Sequence, residues 1–407
     1  MINVIGLGYI GLPTALMLAA NGNEVVGTDI LQKTVENLQQ GKLTFEEKNL
    51  DTLFKKAVDN GIQFSTNYQE TDMYIITVPT PYDLKTKKID PSYVIEAVKT
   101  TVQNAKNNSI IVVESTVSPG THDKFVKPII HDAQKILGKT LHLVHAPERI
   151  LPGNMVYELE HNSRTIGADD IEAANKVKKL YETFCKGEIV VTDIRSAEMS
   201  KVIENTFRDV NIAFANELAK IASYNDMDVY EIIRIANKHP RVNILNPGPG
   251  VGGHCISVDP WFLVGDFPEL TKLIKISRDI NDSMPTYVLK KIHDIMKEKQ
   301  ISDISRVGLY GLTYKPNVDD VRESPTLQLL EKQREHLAPE LKVFDPYISK
   351  KIAENQYFNF EEFLKDIDLV VIMVAHEHIK QNKELLNEKV IFDTQNIFEN
   401  SEKVYKL

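Results

Sequence analysis

Short apolar runs rich in β-branched residues alternate with amphipathic stretches through the first half of the chain. Runs of this kind are typical of strands that are buried on both faces of a parallel sheet. Repeated strand, helix and strand units therefore predict an α/β domain with a doubly wound parallel sheet. The predicted strands are Ile2–Ile5, Glu24–Thr28, Met73–Val78, Ile110–Glu114, Leu141–His145, Arg164–Gly167 and Ile189–Val191.

The pattern changes near Ser196, where a long helical region begins. The segment Ser196–Ala222 contains no proline or glycine and carries apolar residues at helical spacing, which predicts one long helix. More helix is predicted over Val229–Asn237 and Pro268–Gln300, and a loop rich in proline and glycine, Asn246–Gly253, lies between them.

From about Asp303 the alternation of strands and helices returns. A strand that ends in Asp345 repeats the pattern of the early strand that ends in Asp29, so we predict a second, smaller Rossmann-like domain. Its predicted elements are the strands Arg306–Gly311, Lys342–Asp345, Leu369–Val374 and Val390–Asp393 and the helix Ser324–His336. The predicted division of the chain is 1–195, 196–302 and 303–407.

Composition narrows the class of protein. The 407 residues include 42% hydrophobic and 26% charged residues, as in ordinary globular proteins. A net charge of −9 argues against nonspecific binding to nucleic acid or to an anionic membrane. Two cysteines cannot form a disulfide framework, and the longest apolar run, Leu369–Ala375, is much shorter than the roughly 20 residues of a membrane helix. We therefore expect a cytoplasmic protein.

A dinucleotide site is predicted at the first strand. Gly6, Gly8 and Gly11 fit the pattern G-x-G-x-x-G between a strand and a helix, and the second strand ends in Asp29. An acidic residue there accepts hydrogen bonds from the ribose hydroxyls and repels a 2′-phosphate, which favours NAD over NADP. Thr80 and the later Thr116 follow strands and are expected to contact cofactor or a catalytic water. Structural turns without a ligand are the alternative.

The segment Pro247–Cys255 places four glycines before a cysteine. Glycines allow a ligand to approach the backbone, and an accessible cysteine suits a nucleophile. Asp259 follows four residues later, whereas Cys185 fits a buried small apolar residue. NAD together with a reactive cysteine suggests oxidation of an aldehyde through a thioester. His376-Glu377-His378 lacks the spacing of a zinc helix, so no metal site is predicted.

With these motifs in place, the chain resembles the UDP-glucose/GDP-mannose dehydrogenase family over essentially its whole length. The segments that carry the resemblance are Glu204–Asn211, His239–Asn243, Pro247–Cys255 and Asp259–Trp261. The resemblance implies two Rossmann-like domains joined by a central helical region, a homodimer, and NAD-dependent four-electron oxidation of a sugar-nucleotide C6 alcohol. The segments look like the branch that acts on UDP-N-acetyl-D-mannosamine for surface polysaccharide synthesis.

The resemblance also implies roles for individual residues. Cys255 is the implied nucleophile, and Lys201 is implied to stabilise oxyanion charge or to shuttle a proton. Asn205 is implied to contact the oxyanion or the sugar, Asp259 to assist through water and lysine, and Glu148 to handle the hydrolytic water. Implied cofactor contacts, besides the three glycines, are Tyr9, Ile10, Asp29, Thr80, Thr116 and Arg322. Implied substrate contacts, besides Lys201 and Asn205, are Arg149, Ile150, Arg208, His239, Arg241, Gly252, Tyr314 and Lys315.

Several alternatives stay open at this point. The same chemistry on UDP-N-acetylglucosamine or UDP-N-acetylgalactosamine is the closest one. Asn211 stands where the UDP-glucose branch usually has lysine, and the Arg241–Cys255 segment is shorter, which favours an acetamido sugar over glucose. A two-electron hydroxyacid dehydrogenase would not need Cys255. A nucleotide-sugar sensor without activity would not need Cys255, Lys201 and Glu148 together.

Overall fold

The computed structural model describes residues 1–253, 255–335 and 341–407. Within them the chain divides into two compact units, one of residues 1–204 with 265–267 and the other of residues 205–264 with 268–407. Each unit contains one sheet, as the two predicted Rossmann-like domains require. His254 in the segment Pro247–Cys255 and His336 at the end of a predicted helix lie outside the described residues.

The first unit is built on an eight-stranded sheet with the order β3-β2-β1-β4-β5-β6-β7-β8. Its central strands are buried along their length, which explains why they consist of continuous apolar runs. The strands are β1 (Ile2–Ile5), β2 (Val25–Thr28), β3 (Gln63–Ser65), β4 (Met73–Ile76), β5 (Ser109–Val113), β6 (Leu141–His145), β7 (Arg164–Ala168) and β8 (Ile189–Thr192). The helices are α1 (Gly11–Ala20), α2 (Gln32–Gln39), α3 (Leu50–Asp59), α4 (Ser92–Asn104), α5 (Lys127–Leu137), which a π-helical segment His122–Val126 precedes, α6 (Met155–His161) and α7 (Ile171–Tyr181).

One strand pair departs from the predicted parallel arrangement. β6 and β7 are antiparallel, with Val144 opposite Ala168 and His145 opposite Gly167. A parallel neighbour of β6 would need a connection that returns to the edge where the strands begin. The chain between β6 and β7 instead stays at the edge where β6 ends, so β7 runs in the opposite direction. As a result Arg164, the first residue of β7, lies at the carboxyl end of β6.

A run of helices follows the first sheet. These are α8 (Ile194–Tyr224), α9 (Val229–Ala236), α10 (Asp259–Asp266) and α11 (Lys272–Glu298). The predicted long helix is confirmed, and it extends two residues further at each end than its apolar pattern indicates. Asp228 caps α9, because its side chain accepts hydrogen bonds from the backbone of Tyr230 and Glu231. In the described part of the chain, no helix is long and apolar enough to cross a membrane.

The second unit contains a parallel sheet with the order β11-β10-β9-β12-β13-β14. This order repeats that of the first six strands of the other sheet, which is the doubly wound arrangement of Rossmann domains. The strands are β9 (Val307–Tyr310), β10 (Lys342–Phe344), β11 (Gln356–Tyr357), β12 (Leu369–Ile372), β13 (Val390–Asp393) and β14 (Val404–Lys406). The helices are α12 (Pro325–Glu335), α13 (Phe360–Lys365) and α14 (Glu377–Gln381), and 3₁₀ turns lie at Ile304–Arg306 and Lys383–Leu386.

Candidate active site

The turn between β1 and α1 shows why three glycines are needed. Gly6 has a φ of +91°, and a Cβ at Gly11 would lie 1.8 Å from the Gly6 carbonyl oxygen. Both positions are therefore closed to any other residue. At Gly8, by contrast, an added Cβ would meet no atom within 4 Å. The missing side chain at Gly8 leaves open space beside the start of the helix, which fits the pyrophosphate of a dinucleotide.

Asp29 fixes the same turn from the end of β2. Its carboxylate accepts hydrogen bonds from the backbone N–H of Leu7, at 2.8 Å, and of Leu31, at 2.9 Å. The side chain is half-buried, so part of the carboxylate still faces solvent beside the turn. This position suits the ribose hydroxyls of NAD.

The other predicted cofactor contacts in this unit surround that turn or follow neighbouring strands. Tyr9 lies in the turn and its ring is 4.5 Å from the ring of Phe45, while Ile10 is the residue before α1. Thr80 follows β4 and is buried, and Thr116 follows β5 and is half-buried. The carboxyl ends of parallel strands share one edge of a sheet, so these residues lie along the edge where α/β proteins bind ligands.

Glu148 lies beyond the end of β6 at the same edge and is buried. One of its carboxylate oxygens accepts a hydrogen bond from the backbone N–H of Arg149 at 2.6 Å. The Arg149 guanidinium pairs with Glu204, with Nε and Oε2 at 2.9 Å, and Ile150 is part of the hydrophobic core. Arg149 therefore has a carboxylate partner of its own, which a substrate phosphate would have to share or replace.

Lys201 is the predicted catalytic cation of the first unit. Its side chain lies on α8 and the residue is only 7% exposed. Its side chain makes no hydrogen bond or ion pair with the described residues. Lys201 is mostly buried and its ammonium has no counterion among the described residues, so the position favours an anionic group supplied by the reaction. Asn205 lies one helical turn later and shares this face of α8.

Glu198, which sequence analysis missed, anchors the start of α8. Its carboxylate accepts hydrogen bonds from the backbone N–H of Gly120, at 2.6 Å, and of His122, at 2.9 Å. The Nδ1 atom of His122 is also 2.6 Å from this carboxylate. All these contacts are buried or part-buried, and they fix the helix that carries Lys201 to the loop that follows Thr116.

In the second unit, the predicted nucleophile lies at the entrance to α10. Asp259 donates its backbone N–H to the carbonyl of Cys255 at 2.9 Å, which makes Cys255 the start of a helical turn. Cys255 is half-buried, whereas Cys185 is buried. The amide of Asn205 donates a 2.6 Å hydrogen bond to the Asp259 carboxylate, and both side chains are buried. The structure thus joins three of the predicted catalytic residues.

The glycines before Cys255 are packed against two predicted ligand-binding residues. A Cβ at Gly252 would lie 2.7 Å from the Tyr314 Cβ, and one at Gly253 would lie 2.7 Å from the Tyr314 ring. The backbone N–H of Gly253 donates to the carbonyl of Arg322 at 2.9 Å. The Arg322 guanidinium pairs with Asp320 at 2.6 Å. Lys315 follows Tyr314 and its carbonyl accepts from the Thr313 hydroxyl at 3.0 Å.

Arg208 and Arg241 differ from most other arginines of the chain. Both are exposed, and neither has a carboxylate partner among the residues that the structure describes. Seven other arginines each pair with a carboxylate, and these are Arg149, Arg164, Arg195, Arg234, Arg278, Arg306 and Arg322. His239 is also exposed, and its Nδ1 accepts from the backbone of Arg241 at 3.3 Å. The two unpaired guanidiniums suit the diphosphate of a nucleotide sugar.

Two asparagines hold the segment after Arg241. The Asn211 amide donates to the carbonyl of Asn243 at 2.8 Å and accepts from the backbone of Leu245 at 2.9 Å. The Asn237 amide pairs in the same way with both backbone groups of Ile244, at 2.9 and 2.8 Å. Asn211, which sequence analysis noted only as a departure from lysine, therefore acts on the backbone of this loop.

Sequence analysis also missed a buried charged cluster next to Glu148. Arg164 lies 2.5 Å from a Glu148 oxygen and 3.6 Å from a Glu114 oxygen, and the Tyr181 hydroxyl donates to Glu114. Burial is the main cause that raises the pKa of Glu114 to about 7. Across the described ranges no group of three or more histidines, cysteines or acidic residues could hold a metal ion.

Comparison with known proteins identifies the family. Three models of the UDP-glucose/GDP-mannose dehydrogenase family match, the NAD binding domain over residues 1–185, the central domain over 195–283 and the UDP binding domain over 308–400. The chain belongs to this family of NAD-dependent nucleotide-sugar dehydrogenases. The predicted family, the predicted NAD cofactor and the prediction of an oxidoreductase are confirmed.

Individual relatives extend over nearly the whole chain. It is 44% identical to the UDP-N-acetyl-D-mannosamine dehydrogenase of Methanocaldococcus jannaschii, covering 97% of this chain and 92% of that protein. It is 39% identical to the NDP-N-acetyl-D-galactosaminuronic acid dehydrogenase of Ralstonia nicotianae, covering 98% and 96%. The solved structure of the UDP-N-acetyl-mannosamine dehydrogenase of Staphylococcus aureus matches with a TM-score of 0.88 at 41% identity, covering 100% and 97%.

The nucleotide turn generates a matched pair of tests. Gly11→Ala should lower the free energy of unfolding by about 3 kcal/mol or more, because its Cβ cannot fit beside the Gly6 carbonyl. Gly8→Ala should leave that free energy within about 0.5 kcal/mol of the parent, because the space is open. It should nevertheless weaken NAD binding by at least about tenfold, through steric conflict with the pyrophosphate. Thermal unfolding measures the change in stability, and NAD titration measures the change in affinity. Unchanged NAD affinity in Gly8→Ala would contradict the placement of the pyrophosphate beside Gly8.

Proposed function

We propose that this protein oxidises the C6 alcohol of UDP-N-acetyl-D-mannosamine to the carboxylate of UDP-N-acetyl-D-mannosaminuronate, with reduction of two NAD per sugar. The observation that carries the proposal is the joined arrangement of Cys255, Asp259 and Asn205 behind a glycine-rich loop. A two-electron alcohol dehydrogenase has no use for a cysteine held in this way, whereas oxidation to the acid needs a covalent thioester or an equivalent.

The identity of the sugar is supported by the relatives. Relatives named for UDP-N-acetyl-D-mannosamine are 42–44% identical in Methanocaldococcus and Methanococcus and 38% identical in Campylobacter jejuni, and those named for an N-acetylgalactosaminuronic acid are 38–39% identical. Because the galactosamine relatives are almost as similar, UDP-N-acetylgalactosamine is the second candidate. Synthesis of a surface polysaccharide is the use we propose for the product.

The proposed chemistry assigns tasks to Cys255, Lys201, Asn205 and Glu148, and Asp259 assists through water and lysine. NAD, when bound, accepts the hydride in each of the two oxidations. The Cys255 sulfur adds to the C6 aldehyde and gives a thiohemiacetal, whose oxidation yields a thioester. Lys201 and Asn205 stabilise the negative charge that develops on the C6 oxygen, since Lys201 has no counterion within the described chain. Glu148 accepts a proton from the water that hydrolyses the thioester.

The proposed substrate contacts follow from charge. Arg208 and Arg241, which have no carboxylate partner in the described residues, bind the diphosphate, and a planar guanidinium can donate two hydrogen bonds to one phosphate. His239 and Arg149 contact sugar or phosphate, and Ile150 lines the sugar. Gly252, Tyr314 and Lys315 bind the nucleotide, and Arg322 reaches NAD.

We further propose a homodimer and a division of labour along the chain. Residues 1–195 bind NAD, residues 196–302 form the central and dimerising region, and residues 303–407 bind the UDP part. The α8 helix leaves an apolar stripe exposed, with Phe207 63%, Phe214 51% and Ile221 54% exposed. Their seven-residue spacing puts them on one side of the helix, which favours pairing with a second copy.

The proposed activity is tested with a panel of UDP-sugars. The parent protein should have the highest kcat/KM with UDP-N-acetyl-D-mannosamine, measured by NADH absorbance. Cys255→Ser should reduce formation of the acid by about 100-fold or more while NAD affinity is unchanged, because serine is a much weaker nucleophile near neutral pH. Cys185→Ser is the matched control and should retain activity. Parent-level acid formation by Cys255→Ser, or a preference for the galacto or gluco sugar, would count against the proposal.

The dimer is tested by complementation. If Arg241 serves the site of the partner subunit, inactive Cys255→Ala and Arg241→Ala chains should regain a substantial fraction of parent activity when they exchange subunits. The reason is that one site of each mixed dimer then contains both residues intact. The control mixes Cys255→Ala with a chain that carries both substitutions and should stay inactive. Absence of recovery in proven heterodimers would place Arg241 in the site of its own chain.

A further inference from the structure

A buried group of charges stands behind Glu148 and has no part in the proposed reaction so far. The Arg164 guanidinium lies 2.5 Å from Oε2 of Glu148 and 3.6 Å from Oε1 of Glu114. None of the three side chains is more than 4% exposed. The Tyr181 hydroxyl donates to Glu114, and its ring lies 4.4 Å from the centre of the guanidinium. One arginine is therefore shared by two carboxyl groups.

The sheet topology brings these residues together. Glu114 follows β5, and Glu148 lies just beyond its neighbour β6, with Val113 opposite His145. Because β7 is antiparallel to β6, continuing their register places Arg164 opposite Glu148. A parallel β7 would have put Arg164 at the other edge of the sheet. The reversed strand thus delivers a cation to the ligand-binding edge.

The charges in this cluster do not balance when both carboxyl groups are ionised. Burying a net charge is costly, so one proton is retained near neutral pH. Burial, with a smaller contribution from the charge of Glu148, raises the pKa of Glu114 to about 7 in spite of Arg164. Tyr181 does not compete for this proton, because burial raises its pKa well above the usual value. Nearby His145 stays neutral, since burial lowers its pKa well below the ordinary value.

Two more groups face the cluster from the packed helices and do not change this balance. The Thr14 hydroxyl of α1 is 3.5 Å from Glu114 and carries no charge. Cys185, near the end of α7, is buried, and its Sγ is 3.4 Å from the carbonyl of Asn162. Glu114 is therefore the group of this cluster that gains or loses a proton around neutral pH.

We propose that Arg164 and Glu114 are positioning residues for Glu148: Arg164 fixes the direction of its carboxylate, and Glu114 determines how much of the guanidinium charge that carboxylate shares. The inference rests on the proposed role of Glu148 in hydrolysis. In that step the water oxygen bonds to C6 and the C6–Sγ bond breaks. One water proton goes to Glu148, and the other leaves with the new carboxyl group, which ionises.

Glu114 makes the rate of thioester hydrolysis depend on pH. Below pH 7 Glu114 is neutral, so the guanidinium charge of Arg164 is shared with the Glu148 carboxylate alone. As the pH rises through about 7, Glu114 ionises, competes for the guanidinium and adds negative charge beside Glu148. Because the guanidinium then neutralises less of the negative charge on Glu148, the rate of thioester hydrolysis should rise across this range.

Arg164→Lys tests the positioning role, because lysine keeps the charge but cannot contact both carboxyl groups with a planar fork. In rapid mixing with NAD and UDP-N-acetyl-D-mannosamine, it should keep the initial burst of NADH, and steady turnover should fall at least about tenfold with kcat/KM little changed, because only the step after thioester formation is slowed. Mass spectrometry of the quenched protein should show a sugar adduct on Cys255. Arg306→Gln, which breaks the Arg306–Asp368 pair, is the control and should show neither effect. Parent-level hydrolysis in Arg164→Lys would overturn the proposal.

Glu114→Gln tests the charge-sharing role with a conservative change that mimics the neutral acid. The parent should show a rise in hydrolysis rate through about pH 7, and Glu114→Gln should lose this rise. An unchanged pH profile in Glu114→Gln would overturn this role. Glu148→Gln distinguishes a failure of the proposed role of Glu148 from a failure of the positioning role of Arg164 and Glu114. If hydrolysis is not slowed and no adduct accumulates in Glu148→Gln, the proposed role of Glu148 fails. If Glu148→Gln slows hydrolysis and lets the adduct accumulate while Arg164→Lys has neither effect, only the positioning role fails.

Discussion

The carboxyl-terminal edge of the eight-stranded sheet is the constraint on which the rest of the chemistry depends. The parallel strands β1, β4, β5 and β6 all end at this edge. The residues that follow them therefore lie side by side although they are far apart in sequence, and these are Gly8, Thr80, Thr116 and Glu148. The contact between Gly6 and Gly11 closes the turn, and Asp29 holds it through the backbone of Leu7. This edge is therefore specified by backbone geometry before any ligand binds.

The charged cluster at this edge is better explained by function than by stability. A buried ion pair is seldom worth more than the apolar packing that could replace it, and removal of one partner leaves a costly unpaired charge. Glu114, Glu148 and Arg164 have side chains no more than 4% exposed, so removing their charges from water destabilises the folded state. Apolar packing could not fix the direction of the Glu148 carboxylate or place a cation beside it.

Sequence predicted the parts of the structure that local pattern encodes. The strands Ile2–Ile5 and Leu141–His145 and the long helix carry clear apolar patterns, and all three are present. β3, β11 and β14 were missed because they have two or three residues and partial exposure. The direction of β7 was wrong, since an apolar run contains no information on strand direction.

The site was predictable where a motif marks it. The glycine turn, Asp29 and the Cys255 loop each have a local signature, and Asp29 and Asp345 perform the same task in the two sheets. Asp345 accepts from the backbone of Leu312 at 2.6 Å, as Asp29 does from Leu7. Arg164 and Glu114 have no signature, because they are 50 residues apart in the sequence and meet only through the reversed strand.

The central claim is a four-electron oxidation that ends in an acid, and the reaction stoichiometry tests it most directly. A limiting amount of UDP-N-acetyl-D-mannosamine is converted to completion with excess NAD, while NADH is measured by absorbance and the sugar product by mass spectrometry. The account predicts two NADH for each sugar consumed and a carboxylate at C6. One NADH for each sugar, with an aldehyde as the end product, would contradict it.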